Sequence, residues 1–250
     1  MRAANSAPMI VLFTDFGGSG PYMGQVEAVL ARDAPGARVI TLLDDAPAHD
    51  AKRSAYLLAA LIDVFSKDTV FVCVVDPGVG SERAALIVEA DGRRFVGPDN
   101  GLFEIVLRRA VERAAWNITW RPTVLSASFH GRDLFAPVAA IMANGGAVPG
   151  ESIELGSIRR PDWPDELDEI IYIDHYGNAM TGRRAETFPS TATIKAGNHR
   201  ISRATTFSDV SPGIPLWYEN SSGLAEISVN QGRASDQLDL AIGDTIAVAW

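Results

Sequence analysis

The chain has 250 residues, 47% of them hydrophobic, and its 31 acidic residues against 22 basic ones leave a formal charge of −9. That length supports one large domain or two smaller ones with full cores, while an acidic surface without a segregated basic patch repels phosphate backbones and argues against nucleic acid as a partner. The first eight residues, MRAANSAP, lack an apolar core of signal-peptide length, and no later stretch approaches a membrane span, so a cytoplasmic protein without membrane partners is expected. The only cysteine, Cys73, lies in the apolar run Thr69 to Val75 and reads as a buried thiol with no intramolecular disulfide open to it.

In chain order, MIVLFTD from Met9 to Asp15 is an apolar, β-prone run ending in a polar residue before a glycine-rich turn, which predicts a buried strand entering a loop. Behind Pro21, the spacing of Met23, Val26, Val29 and Leu30 predicts a helix to Ala34. A strand over Arg38 to Leu43, a helix over Asp50 to Phe65 and a strand over Thr69 to Val75 follow, each strand apolar without strict alternation, as parallel strands covered on both faces are. ALIVEADGRRFVG reads as a hairpin turning at Asp91 and Gly92, Leu102 to Glu112 as a helix, Trp116 to Trp120 as a strand and Asp133 to Asn144 as a helix. The alternation implies an α/β domain over 9–150 with a largely parallel central sheet.

From Gly145 the composition turns to Gly, Pro and charge, which suggests a linker over 151–165. Over 166–250, short strands near Leu167 to Asp174, Thr191 to Lys195, His199 to Ser202, Leu216 to Glu219, Glu226 to Val229 and Thr245 to Ala249 are separated by turn signals, which favours a small antiparallel barrel or sandwich.

Ligands of open parallel sheets bind beyond the carboxyl ends of the strands, which singles out Asp15, Asp44, Asp45 and Asp76, although each could equally cap a helix or a turn. Gly18, Gly20 and Gly24 in TDFGGSGPYMG are spaced one step longer than the dinucleotide fingerprint. Asp15 at the strand end would crowd a pyrophosphate but could accept both hydroxyls of a ribose, so a nucleoside without phosphate suits this loop better. VVDPGVGSER sets Asp76 and Arg83 seven residues apart around a loop that can fold back, either for chemistry or as an ordinary ion pair. His130, in SFHGRDLFAP, sits just ahead of a predicted helix. In the second region Asp174, His175 and Asn178 share one turn, and Asn220, Ser221, Glu226 and Asn230 lie close together. No His or Cys pairs stand at zinc spacing, so no metal is predicted.

Taken together, TDFG, VDPGVGSER, PDNGLF, FHGRDLFAP, DHYGN and NSSGLAEISVNQG, in order from about Met9 to Trp250, resemble the S-adenosyl-L-methionine hydrolases, or hydroxide adenosyltransferases, relatives of the fluorinating and chlorinating enzymes that use the same substrate. The resemblance implies an N-terminal α/β domain, a C-terminal β-barrel and a homotrimer whose active sites lie between the first domain of one subunit and the second of its neighbour. S-adenosyl-L-methionine is then the substrate, cleaved by water to adenosine and methionine, with no cofactor.

Carried over residue by residue, the resemblance makes Asp76, Arg83 and His130 the set that handles water. Asp15 holds the ribose hydroxyls, Phe207 lies against adenine and Asn178 bonds its edge. Asp174 binds the methionine ammonium, Ser221 lies near the carboxylate, and Phe129, Gly131 and Asn230 are further substrate-binding positions. Asp76 stands where the halogenating relatives have tyrosine, and Gly131 where the fluorinating branch has a halide-binding serine. A carboxylate repels an incoming halide and suits water. Gly20 replaces an acid and His49 an aromatic residue of the family. Either Asp76 or His130 accepts the proton, because an Arg neighbour weakens a carboxylate as a base. The alternatives are a halogenase forming a 5′-halo-adenosine and a non-catalytic adenosine or S-adenosyl-L-methionine binding protein.

Overall fold

The computed structural model describes residues 7–249. Most of MRAANSAP and the terminal Trp250 therefore lie outside the described residues. The contacts divide the chain into two units, one running through Ala55 and from Asp63 to Arg160, the other made of Tyr56–Ile62 and the chain from Pro161 onward.

The first unit is built on β1 (Met9–Thr14), α1 (Tyr22–Asp33), β2 (Arg38–Leu43), the start of α2 (Ala51–Leu61), whose residues from Tyr56 on count with the second unit, β3 (Val70–Val74), β4 (Ala85–Ala90), β5 (Arg93–Pro98), α3 (Glu104–Arg109), β6 (Arg113–Ile118), α4 (Ala136–Ala143) and β7 (Gly150–Ser152). Its seven strands are ordered β2-β1-β3-β5-β4-β6-β7. The pairs β1/β2, β1/β3 and β3/β5 are parallel, whereas β4/β5, β4/β6 and β6/β7 are antiparallel. The sheet is thus mixed rather than largely parallel. The cause is local: Asp91 and Gly92 both take left-handed backbone, at φ 47° and 85°, the conformation of the tight turn that reverses a hairpin. This places β5 parallel to β3 and turns β4 back outside it.

On the turn's far side the Asp91 carboxylate accepts from the amides of Val111 and Glu112 at 3.0 and 2.8 Å. That anchor starts β6 at Arg113, three residues before the strand that Trp116 suggested. β1 and β3 are apolar and buried along their lengths, and α1 presses Met23, Val26 and Leu30 onto them, with α4 on the same core. Burying such runs supplies the main stabilisation, at about 25 cal/mol per Å² of apolar surface. Cys73 is fully buried inside β3, and burial pushes its thiol up. The stretch 151–160 packs with this unit: Ser152 pairs with Trp116, and Arg159 and the Arg160 amide reach the buried Glu104 carboxylate.

The strands of the second unit are β8 (Leu167–Ile173), β9 (Ala179–Arg184), β10 (Thr193–Ala196), β11 (His199–Ser202), β12 (Pro215–Glu219), β13 (Leu224–Val229) and β14 (Ile246–Ala249), with one helical turn, α5, at Ala234–Gln237. They form two antiparallel sheets, β12-β13-β9-β8 and β11-β10-β14. Single bridges link Glu169 of β8 to Thr245 and Arg203 to Trp217 of β12. Apolar periodicity did not reveal β9, whose AMTGRR has few apolar residues. Its Thr181 is buried with the hydroxyl donating to Ala225 O at 2.8 Å, which removes the cost of an unpaired polar group. Trp217 is the largest buried side chain here, and its indole N–H donates to Ala192 O at 3.0 Å.

Candidate active site

β1 and β3 are neighbours running the same way, so their exits deliver Asp15 and Asp76 to one end of the sheet, tied by the Asp15 amide donating to Val74 O at 3.3 Å. A cavity of about 250 Å³ opens there, lined among others by Asp15, His49, Asp76, Phe129, His130 and Gly131. Five of the six first-unit residues to which the resemblance gives a catalytic or substrate-binding role thus line one cavity, which Asp44 and Asp45 do not. The sixth, Arg83, joins it through Asp76.

Arg83 engages Asp76 with both arms: Nε donates to Oδ1 at 2.7 Å and one terminal nitrogen to Oδ2, while the other terminal nitrogen donates to Ala84 O at 2.8 Å. Their side chains are 4% exposed at Asp76 and 12% at Arg83, so the pair is not a solvated surface bridge. Such forked, charge-assisted pairs fix geometry as well as charge. The loop between them depends on Gly80, at φ 81°, where a Cβ would meet Ala127 O at 2.5 Å. The Gly80 loop thus passes close to the segment leading to His130.

His130 immediately precedes a single wide turn, Gly131–Phe135, that leads into α4, a distortion common at functional positions. Burial, reinforced by the Arg83 charge, lowers the His130 pKa against the opposing pull of Asp76 and Asp133. The shift favours the neutral imidazole, which has a nitrogen lone pair to offer. Gly131 is demanded by packing: a Cβ would stand 2.9 Å from the Phe16 ring. Phe129 makes T-shaped contacts with Phe16 and Tyr22, and those two rings are tilted against each other, with centroids 5.3–6.0 Å apart. Sequence patterning did not mark Phe16 and Tyr22, because aromatics in a glycine-rich loop carry no period.

One oxygen of Asp15 accepts the His49 amide at 2.9 Å, and the other accepts nothing from the described residues, leaving it open to a hydroxyl. His49 has left-handed backbone, φ 60°, with its imidazole Nδ1 4.0 Å from Asp15. Gly20 is exposed, with the Tyr22 ring 3.4 Å from where a Cβ would stand.

The second unit has its own cavity, of about 840 Å³, whose walls include Asp174, Asn178, Phe207 and Ser221. Asp174 accepts the backbone amide and the side-chain amide of Asn178, both at 2.9 Å, which leaves the side-chain Oδ1 of Asn178 without a partner among the described residues. Phe207 is half-buried against Tyr218, with centroids 5.2 Å apart, and lines the cavity rather than the core. Asn230 is not among the lining residues; its amide donates to Val210 O at 2.7 Å. Tyr218 and Glu226, which no pattern assigned a role, join at the cavity floor by a hydrogen bond from the phenol to the carboxylate, and Asn220 donates to the other Glu226 oxygen at 2.8 Å. Burial pushes both the Tyr218 phenol and the Glu226 carboxyl up.

Among the described residues no helix is long and apolar enough to cross a membrane. The sequence matches the family models of the SAM hydroxide adenosyltransferase N-terminal domain over residues 10–151 and C-terminal domain over residues 168–247. The (R)-S-adenosyl-L-methionine hydrolase of Salinispora arenicola is 38% identical, over 97% of this chain and 98% of that protein. The protein of the same name from Thermus thermophilus is 35% identical, over 94% and 96%. Among solved structures, a conserved protein of Thermotoga maritima is similar with a TM-score of 0.87 at 30% identity, over 96% of this chain and all of that one.

Proposed function

The chain belongs to the SAM hydroxide adenosyltransferase family, and we propose that it hydrolyses (R)-S-adenosyl-L-methionine to adenosine and L-methionine. The observation that carries the reading is the buried Asp76–Arg83 fork facing the same cavity as His130 and Asp15. Water attacks the ribose C5′ in line with the sulfonium. The C5′–O bond forms as C5′–S breaks, the bond's electron pair stays on sulfur, and methionine leaves as a neutral thioether. A sulfonium is already a good leaving group, so the step calls for neither an acid nor a cofactor.

Water itself is a poor nucleophile at neutral pH, so its proton needs an acceptor. Both Asp76 oxygens are committed to the Arg83 fork, which holds the carboxylate as an anchor for water. The neutral imidazole of His130 is the better base and takes the proton. Asp15 receives the ribose hydroxyls through its free oxygen. Phe207 stacks on adenine and Asn178 bonds its edge, while Asp174 meets the ammonium and Ser221 the carboxylate. Phe129 and Gly131 bound the reacting carbon, and Asn230 acts by holding the Val210 segment.

The same proposal includes a cytoplasmic homotrimer in which residues from two copies share each substrate. It also takes the two sheets of the second unit as one closed barrel, supported by the bridges Glu169–Thr245 and Arg203–Trp217, which join the sheets at both ends. Light scattering of the purified protein should give three copies.

The test is incubation of (R)-S-adenosyl-L-methionine in ¹⁸O-labelled water. Adenosine labelled at its 5′-hydroxyl, with unlabelled methionine, is expected. Intact ligand retained after long incubation, or a 5′-chloro-adenosine formed in chloride buffer, would overturn the reading.

A further inference from the structure

S-adenosyl-L-methionine ends in an amino acid, and a carboxylate taken out of water calls for a cationic or multiply hydrogen-bonding partner. Ser221 offers one neutral hydroxyl. Among the residues lining the second-unit cavity, Arg233 is the only Arg or Lys. Its side chain is about half exposed, 49%, but is held in place. Its Nη1 donates to His175 O at 2.7 Å and its Nε to Asp236 at 3.0 Å, while Nη2 has no partner among the described residues.

The Arg233 side chain lies across Gly177. A Cβ on that glycine would stand 2.8 Å from the Arg233 Cβ and 3.1 Å from its Cζ. Gly177 has φ 80°, so both its backbone and its missing side chain make room for the arginine. The Ser235 amide donates to Gly177 O at 2.9 Å, which ties the start of α5 to the same turn. That turn is the one Asp174 organises through Asn178. A carboxylate for an ammonium, on the 174–177 turn, and a guanidinium for a carboxylate, packed against that turn from the start of α5, therefore line one cavity.

We propose that Arg233 recognises the α-carboxylate of the substrate's amino-acid end, opposite Asp174, and so sets the specificity for an intact amino acid. The inference rests on the hydrolase reading for the identity of the ligand. Arg233 lies far from the reacting carbon in the substrate's own covalent structure, so it acts on binding and leaves the chemical step alone. Asp236 and the His175 carbonyl hold the guanidinium by two of its nitrogens, which leaves Nη2 for the ligand carboxylate.

The experiment compares (R)-S-adenosyl-L-methionine with its decarboxylated analogue, using wild type, Arg233→Met, Arg233→Gln and Arg233→Lys. A charged hydrogen bond of this kind is worth a factor of about 10 to 100 in binding. Arg233→Met and Arg233→Gln should raise KM for the intact substrate by that factor with kcat little changed, and leave KM for the decarboxylated analogue where it was. Arg233→Lys should recover part of the loss. Equal weakening toward both substrates in both variants would make Arg233 a brace of the 174–177 turn and overturn the proposal, as would equal KM values for the two substrates in wild type. If wild type releases adenosine from neither compound, the hydrolase reading fails, and calorimetric Kd values for the same ligand pair still decide the role of Arg233.

Discussion

Arg83 closes both arms of its guanidinium on the two oxygens of Asp76, seven residues earlier, at a point where both side chains are nearly removed from solvent. The pair fixes the position of the carboxylate while leaving each oxygen a further lone pair. Asp76→Ala should abolish adenosine release and also destabilise the fold by about 3 kcal/mol, because a buried guanidinium is left uncompensated. Denaturant unfolding measures the second effect. Unchanged stability would mean that Arg83 finds another partner.

His130 has a depressed pKa, through burial first and the Arg83 charge second. Its neutral form is therefore favoured in the folded state. An unfolded chain binds a proton near the ordinary value of about 6.5, so between that value and the lower folded one the unfolded state holds more protons. Stability contributed by this group is complete above the unfolded value and falls as pH drops through that window. The acidic limb of kcat/KM should lie below the ordinary histidine value. His130→Ala should lose most activity, and an acidic limb at the same pH in that variant would assign the titration elsewhere.

The resemblance aligns Gly131 with a serine of the fluorinating branch, yet the Phe16 ring stands 2.9 Å from where a Cβ on Gly131 would lie. Gly131→Ser should displace that ring, lower hydrolysis at least tenfold and yield no 5′-halo-adenosine in chloride or fluoride. Product analysis by mass spectrometry reads both outcomes, and appearance of a halogenated product would show that the aromatic cluster yields easily.

Glu104 has no exposed surface at its side chain and accepts from Arg108, Arg159 and the Arg160 amide. Burial raises its pKa, but these donors outweigh it and leave the net shift downward. Its contribution to stability is present above the ordinary glutamate value and is lost as pH falls through the lower folded one. Glu104→Ala should cost about 3 kcal/mol and flatten the acid side of the stability profile, as measured by thermal unfolding across pH. A variant as stable as the parent would mean that the 151–160 stretch is held by its other contacts.

Much of this was legible before any coordinates. The runs of β1 and β3, the period of α1 and the turn at Asp91-Gly92 are local statements, and local burial and backbone preference carry them. Asp15 and Asp76 could be placed at one crevice because parallel neighbours share an exit. The polar strand β9 escaped notice because its buried threonine is satisfied by a bond to β13, a partner 44 residues away in the chain.

Asp76, Arg83 and His130 owe their candidacy to residue type and order, which sequence alone carries. Whether Asp76 is a base or an anchor was not contained there. It depends on where the Arg83 fork lands and how far burial and that charge depress His130, and both are properties of atoms brought together across the loop. The same holds for Arg233. As one arginine among others it is unremarked in the chain, and only the fold packs it against Gly177, on the turn that carries Asp174.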